Sequence, residues 1–324
     1  MATRTDFLHN VRLLLLLILF SNIYVNAENI NSDLWGKINN SSQDSLNNRI
    51  NYFSKIFIGI PYGSIDYQKP KNVDSYKEVK DYLFQPEYAV EFSKFDCVLY
   101  IETVLALSLT NGKNSLQEFE KDFANNLKKI RYVAGKDAYI YRNHFQSIDW
   151  NINNSWLVKD ITHDLGVKGY IAECDIDKPE WLFKNSSFVR FINKDPASAI
   201  AARKQKILDM LRQYKVDYST QRSEVKYLSI NDFLENSKKL YQAFPDVAII
   251  NIVRPNWNIK KIIGTNLNIS HAGFVIKQKN DLYFRHASSK NGVEELLLTD
   301  YLDKYKESKT IKGINILAID VSVS

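Results

Sequence analysis

From Asp44 onward the apolar positions Leu46, Ile50, Phe53 and Phe57 recur at helical spacing. Gly59 and then Pro61-Tyr62-Gly63 predict the end of that helix and a loop. The stretch before it, 28–42, is rich in Asn and Ser and reads as a loose lead-in, and 64–82 is polar around Pro70. Over 95–109 the positions Val98, Ile101, Leu105 and Leu109 predict a mostly buried helix, with Asp96 as its N-cap and Asn111-Gly112 as its stop. Two more helices are predicted over 115–130 and 195–214, the second with Pro196 in its first turn. Between them lies an aromatic and polar segment that includes His144, Asp149, Trp150, Trp156 and Trp181. The C-terminal third changes period. Apolar and β-branched runs at 247–253, 271–277, 282–287 and 311–320 read as strands, with Asn280-Asp281 as a hairpin turn between the middle two. Helices first and strands last predict an α+β fold with an antiparallel sheet.

Charge narrows the function classes. The 324 residues carry 43 basic and 37 acidic side chains, interspersed rather than blocked, for a net charge of +6. No basic stripe or nucleic-acid module is present, so nucleic acid is not an expected partner. Residues 1–27 have the form of a secretory signal. Arg4 and Arg12 precede eight apolar residues, Leu13 to Phe20, and Val25-Asn26-Ala27 offers a small-x-small cleavage site. Eight apolar residues fall well short of the roughly 20 that span a bilayer. An uncleaved N-terminal anchor is the alternative. No later segment approaches transmembrane length, so the chain is expected to be exported, to the periplasm or outside the cell.

Export sharpens the meaning of two cysteines, Cys97 and Cys174. A structural bridge between them is one expectation in an oxidising compartment. A free, wanted thiol is the other. No Cys-x-x-Cys or His-x-x-x-His spacing suggests zinc, and no metal or cofactor is expected. Cys97 would open the apolar helix, where free N–H groups and the partial positive charge favour a thiolate. His271 and His286 fall on the two strands of the predicted hairpin, with small Ala272 and Gly273 leaving room for a close approach. A turn at Asn280-Asp281 sets position 275 opposite His286. The two histidines then sit about four residues apart in register, unless a bulge closes the gap.

Phe95-Asp96-Cys97 heading a helix, Ser270-His271-Ala272-Gly273-Phe274 in one strand and His286-Ala287 in the next resemble the NlpC-type, papain-like cell-wall peptidases. Three further blocks resemble a sister group, the bacterial N-acetylmuramoyl-L-alanine amidase-like family. They are Ile58-Gly59-Ile60-Pro61-Tyr62-Gly63, then Asp96-Cys97-Val98-Leu99-Tyr100-Ile101-Glu102, then Arg142-Asn143-His144-Phe145 with Asp149-Trp150. That resemblance implies a papain-like core of about 44–112 and 223–324 within one domain, 28–324, and a large, mostly helical insertion of about 113–222. It implies Cys97 as nucleophile, His271 as base and His286 as orienting residue, with Tyr62, Asp96 and Ser270 meeting the substrate. It assigns His144 and Asp149 no chemical role. Val98-Leu99 departs from the NlpC pattern, where small polar residues follow the cysteine. The implied activity is a metal-independent cysteine amidase or peptidase acting on peptidoglycan or its muropeptides. An acyltransferase on the same fold, or a non-catalytic wall-binding protein, remains open at this level.

Overall fold

The computed structural model describes residues 27–41, 44–65, 73–87, 89–111, 114–185 and 189–320. The expected signal segment, 1–27, lies outside the described residues as far as Asn26, as does the expected stop residue Gly112. Among the described residues no helix is long and apolar enough to cross a membrane.

One antiparallel sheet organises the chain. Its strands are β1 (Val158–Asp160), β2 (Gly169–Asp177), β3 (Thr220–Ser229), β4 (Val247–Asn258), β5 (Asn266–Gln278), β6 (Asp281–Ser288), β7 (Gly292–Leu297) and β8 (Gly313–Ile319). They run in the order β2-β3-β8-β4-β5-β6-β7, with β1 also paired to β8. The central strands are apolar on both faces because both faces are covered, and Val247 to Val253 is buried without interruption. One face carries α1 (Ala27–Asn40), α2 (Leu46–Ile56), α4 (Cys97–Leu109) and α5 (Leu116–Arg131), packed on Ala272, Phe274 and Ile276. The other carries α8 (Ile230–Glu235), α9 (Ser237–Ala243) and α10 (Leu298–Asp303), packed on Ile250, Val275 and Phe284.

Helix α4 forms where the pattern predicts. Asp96 caps it, accepting from Leu99 N at 2.8 Å, a contact of the kind worth about 1 kcal/mol. The helix stops at Thr110, whose N–H closes the last turn onto Ala106 and Leu107. Being apolar all round, it is buried all round. Its one buried charge, Glu102, accepts from Arg131 Nε of α5 at 2.7 Å.

Several expectations are corrected. Residues 28–42 do not form a loose lead-in: 27–40 is the helix α1, and its Leu34 and Ile38 are buried in the main core. The polar stretch 64–82 contains the start of α3 (Tyr76–Phe84), fixed by a capping box between Ser75 and Glu78. The middle segment, 113–222, expected to be a mostly helical insertion, also supplies parts of the main core and sheet. Its α5 buries Phe119, Phe123, Leu127 and Ile130 in the main core, and β1, β2 and the start of β3 belong to the sheet. Only its later part, with α6 (Lys178–Asn185) and α7 (Ala197–Gln213), builds a satellite core around Leu182, Phe183, Ile207 and Leu211.

The hairpin turn is also displaced. Lys279 and Asn280, not Asn280 and Asp281, form it, both in the left-handed region at φ 52° and 66°. Gln278 therefore pairs with Asp281 and Phe274 with Arg285. Continued one step, that register sets Gly273 against His286, and His271 lies two residues along on the same face. Such diagonal neighbours are within reach of ring side chains. The expected four-residue gap is halved.

Candidate functional site

His271 stands mid-strand in β5, not at its start. The β4–β5 ladder pairs Ile252 with His271 but Val253 with Ile269, so Ser270 is an extra residue, a β-bulge beside the imidazole. Its hydroxyl donates to Ile252 O at 3.4 Å. Gly273 is required by the close approach of β6: a Cβ there would fall 2.7 Å from His286 Cβ and 2.8 Å from Arg285 O.

The two imidazoles meet. His271 Nε2 lies 2.8 Å from His286 Nδ1, the rings nearly perpendicular. Phe284 stacks on His286 at 4.4 Å between centroids, and Tyr301 stands edge-on at 5.3 Å. This apolar setting resists charge. Burial, with His286 adding to it, lowers the His271 pKa to about 3, and burial with Lys304 nearby lowers that of His286 to about 4. The far nitrogen of His286, Nε2, is buried and 3.7 Å from Glu294 Oε1. Glu294 sits directly opposite His286 on β7 and also accepts from Asn291 Nδ2 at 2.7 Å.

Cys97 opens α4, where the backbone N–H groups of Ala272, Val98 and Cys97 itself favour its thiolate. Cys97, His271 and Ala272 line one cavity. Burial and the neighbouring Asp96 carboxylate push the thiol up to about 12 despite those three donors. Both cysteines are free. Cys174 is buried on β2 among Phe145, Ile148 and Ile176.

Two cavities meet at His271 and Ser270. One, of about 130 Å3, is lined by Cys97, Asn143, His144 and residues of β5. The other, of about 720 Å3, is lined by Tyr62, His286, Tyr301 and Arg254. Tyr62 is 45% exposed, on a loop that bridges to Phe95, and partial burial, with Cys97 and Asp96 nearby, raises the pKa of its phenol. Asp96 is mainly the cap of α4, and its carboxyl is shifted upward by burial. His144 lines the cavity wall, its Nε2 2.8 Å from Tyr139 O. Asp149 stays off the cavity; it holds that wall by accepting from Phe145 N and pairing with Lys178 at 2.7 Å. Among the described residues no cluster of three His, Cys, Asp or Glu side chains could hold a metal ion. Glu294 and Arg254 escape sequence reasoning. The Glu294-Glu295 pair interrupts the apolar run of β7, and Arg254 lies where β4 leaves its ladder.

A family model described as N-acetylmuramoyl-L-alanine amidase-like (AmiA-like) matches residues 52–311, which include every one of these site residues. The chain belongs to that family. A solved structure from Legionella pneumophila str. Philadelphia 1, carrying the family model DUF1460, is 33% identical over 90% of this chain and 95% of its own, with a TM-score of 0.69. An N-acetylmuramoyl-L-alanine amidase from Bacteroides uniformis is 21% identical over 85% of this chain and 99% of its own, at a TM-score of 0.53. A Bacteroides fragilis protein provisionally named a xylanase is 23% identical over 83% of this chain and 100% of its own, also at 0.53. These last two share the fold, and their different names illustrate why chemistry has to be argued from the site. No curated protein matches the chain.

Proposed function

We propose that this chain is an exported cysteine amidase that hydrolyses an amide bond of peptidoglycan, with Cys97 as nucleophile, His271 as general base and His286 as the residue that orients it. The observation that carries the reading is the meeting of the helix-start thiol with a paired imidazole. Cys97 and His271 line the same cavity, and His271 is bonded to His286 at 2.8 Å. With His271 Nε2 engaged by His286, Nδ1 is the nitrogen left to take the thiol proton.

The resting pair is neutral, because burial disfavours both the thiolate and the imidazolium. Substrate binding brings the amide carbonyl to the sulfur. The Cys97 proton passes to His271 as the S–C bond forms, and backbone donors at the start of α4 stabilise the carbonyl oxygen as it becomes an oxyanion. His271 returns the proton to the leaving amine as the C–N bond breaks, leaving a thioester. A water, deprotonated by the same imidazole, then hydrolyses the thioester and restores the thiol.

The N-acetylmuramoyl–L-alanine bond is the favoured scissile bond, in keeping with the family description; a bond within the stem peptide is the other choice. The core is of papain-like, NlpC type in this reading. The basic and apolar N-terminus supports export to the compartment that holds such a substrate. The test is to incubate the purified protein and its Cys97→Ala variant with muropeptides and read the products by mass spectrometry. Free stem peptide from the wild type alone is the expected result. Muropeptides bound by both proteins and cleaved by neither would replace the enzyme reading with a wall-binding one.

A further inference from the structure

The larger cavity beside His286 has a cationic lining. Among the described residues its walls bear three cationic side chains, Arg254, Lys290 and Lys304, against one carboxylate, Glu294. That carboxylate is already engaged by Asn291 and faces His286. Arg254 is the best placed of the three. Residues 254–256 drop out of the β4–β5 ladder between Val253 and Trp257. The arch they form is held at Asn256, whose N–H donates to Asn268 Oδ1 at 2.9 Å and whose φ is +47°. Asn268 is fully buried and itself anchored to Ala172 O and Ser223 on the next strands. A rigid mount therefore carries the Arg254 side chain into the cavity.

The guanidinium lies over the Trp257 ring, 4.2 Å from its centroid, which fixes its plane. Its Nε is buried and has no hydrogen-bond partner in the protein. A planar, oriented guanidinium can meet a carboxylate in two-point geometry through its terminal nitrogens, which an ammonium cannot do. Lys304 is close enough to His286 to affect its titration, so its positive charge reaches the same end of the cavity.

We infer that Arg254, supported by Lys304, forms a carboxylate-binding subsite that selects substrates whose peptide part carries a free acid group near the scissile bond. This rests on the peptidoglycan reading and specifies it. The acid could be the D-glutamate carboxylate of the stem or the peptide's own C-terminus. The two share one chemistry and differ in position.

Steady-state cleavage of three synthetic muropeptides tests the assignment: the free acid, the form amidated at D-glutamate, and the form with a C-terminal amide. The wild type is expected to lose about tenfold in kcat/KM, mainly through KM, on one of the two amidated forms. The form that suffers identifies the source of the carboxylate. Arg254→Gln should bring the free acid down to the level of that amide and leave the amide itself within about twofold of wild type, while Arg254→Lys recovers part of the loss. Unchanged melting temperatures confirm that the variants are folded, as expected for a side chain with no hydrogen bond to the protein. Equal cleavage of all three forms by wild type overturns the subsite but leaves the amidase reading standing. So does an equal loss on all three in Arg254→Gln. No cleavage of any form by wild type overturns the amidase reading itself.

Discussion

His271 Nε2 and His286 Nδ1 lie 2.8 Å apart across the β5–β6 hairpin, on strands whose register makes them diagonal rather than direct neighbours. In the proposed mechanism one histidine thereby fixes which nitrogen the other offers to Cys97. An orienting partner that acts through the base should affect turnover more than binding. His286→Ala is expected to lower kcat by about a hundredfold with KM little changed, and His286→Asn to retain more because its amide can still accept from His271. Equal losses in kcat for Ala and Asn would argue for a purely structural role.

In the proposed mechanism the same pair sets the acid limb of the pH profile. His271 must be neutral to accept a proton, and its pKa is depressed to about 3, with that of His286 at about 4. Activity should therefore persist well below the ordinary histidine value, and kcat/KM should fall only near pH 4. Stability moves in the same direction. The unfolded chain takes up these protons from about pH 6.5 downward and the folded one does not, so the melting temperature should decline from about pH 6.5 toward pH 4. A profile falling at about pH 6.5 would mean that the histidines are well solvated.

Thiol labelling distinguishes a neutral pair from a standing thiolate. With Cys97 raised to about 12 and Cys174 to about 11, iodoacetamide at pH 7 should alkylate the native protein at least about tenfold more slowly than free cysteine. Unfolding in denaturant should expose both thiols to rapid labelling. Fast modification of Cys97 in the native state would show an ion pair with His271.

Gly273 is a steric requirement. Its missing Cβ makes room for His286 Cβ, Phe284 and the backbone carbonyl of Arg285. Gly273→Ala should destabilise the fold by about 1–3 kcal/mol and depress activity by spreading the two histidine strands. Combining it with His286→Ala should recover little of the stability, because alanine keeps the clashing Cβ and the carbonyl clash at Arg285 remains. Denaturant melts of the two single variants and the double variant measure this.

The helix that carries Cys97 is pinned by the pair Glu102–Arg131, whose side chains are 5% and 2% exposed. Arg131→Leu should cost about 3–5 kcal/mol by leaving a carboxylate buried alone, whereas Glu102→Leu with Arg131→Leu should be much less harmful. A double-mutant cycle read by chemical denaturation gives the coupling.

The elements that were legible in the chain are those whose local signals agree. Helix α4 has a cap, an apolar body and a stop, and its N-terminal position put Cys97 forward as the candidate nucleophile. Strands β4, β5, β6 and β8 were visible because burial on both faces makes them continuous apolar runs. Elements with mixed signals escaped. β2 and β3 alternate charged and buried residues beside turns, β7 carries Glu294-Glu295, and α1 hides Leu34 and Ile38 in an Asn-rich background.

By itself the sequence determined the chemical alphabet of the candidate site, one helix-start thiol and two strand-borne imidazoles, since these follow from residue type and local periodicity. Tertiary structure alone decided their relation. Placing the turn at Lys279-Asn280 halves the offset of the histidines, and a single extra residue, Ser270, forms the bulge beside His271. Burial then sets the charge states. Register, bulges and desolvation depend on which strand lies alongside and what covers it, and no local pattern encodes those partners. The same holds for Arg254, an ordinary charged residue in the chain that becomes a directed donor only where the fold lifts it over Trp257.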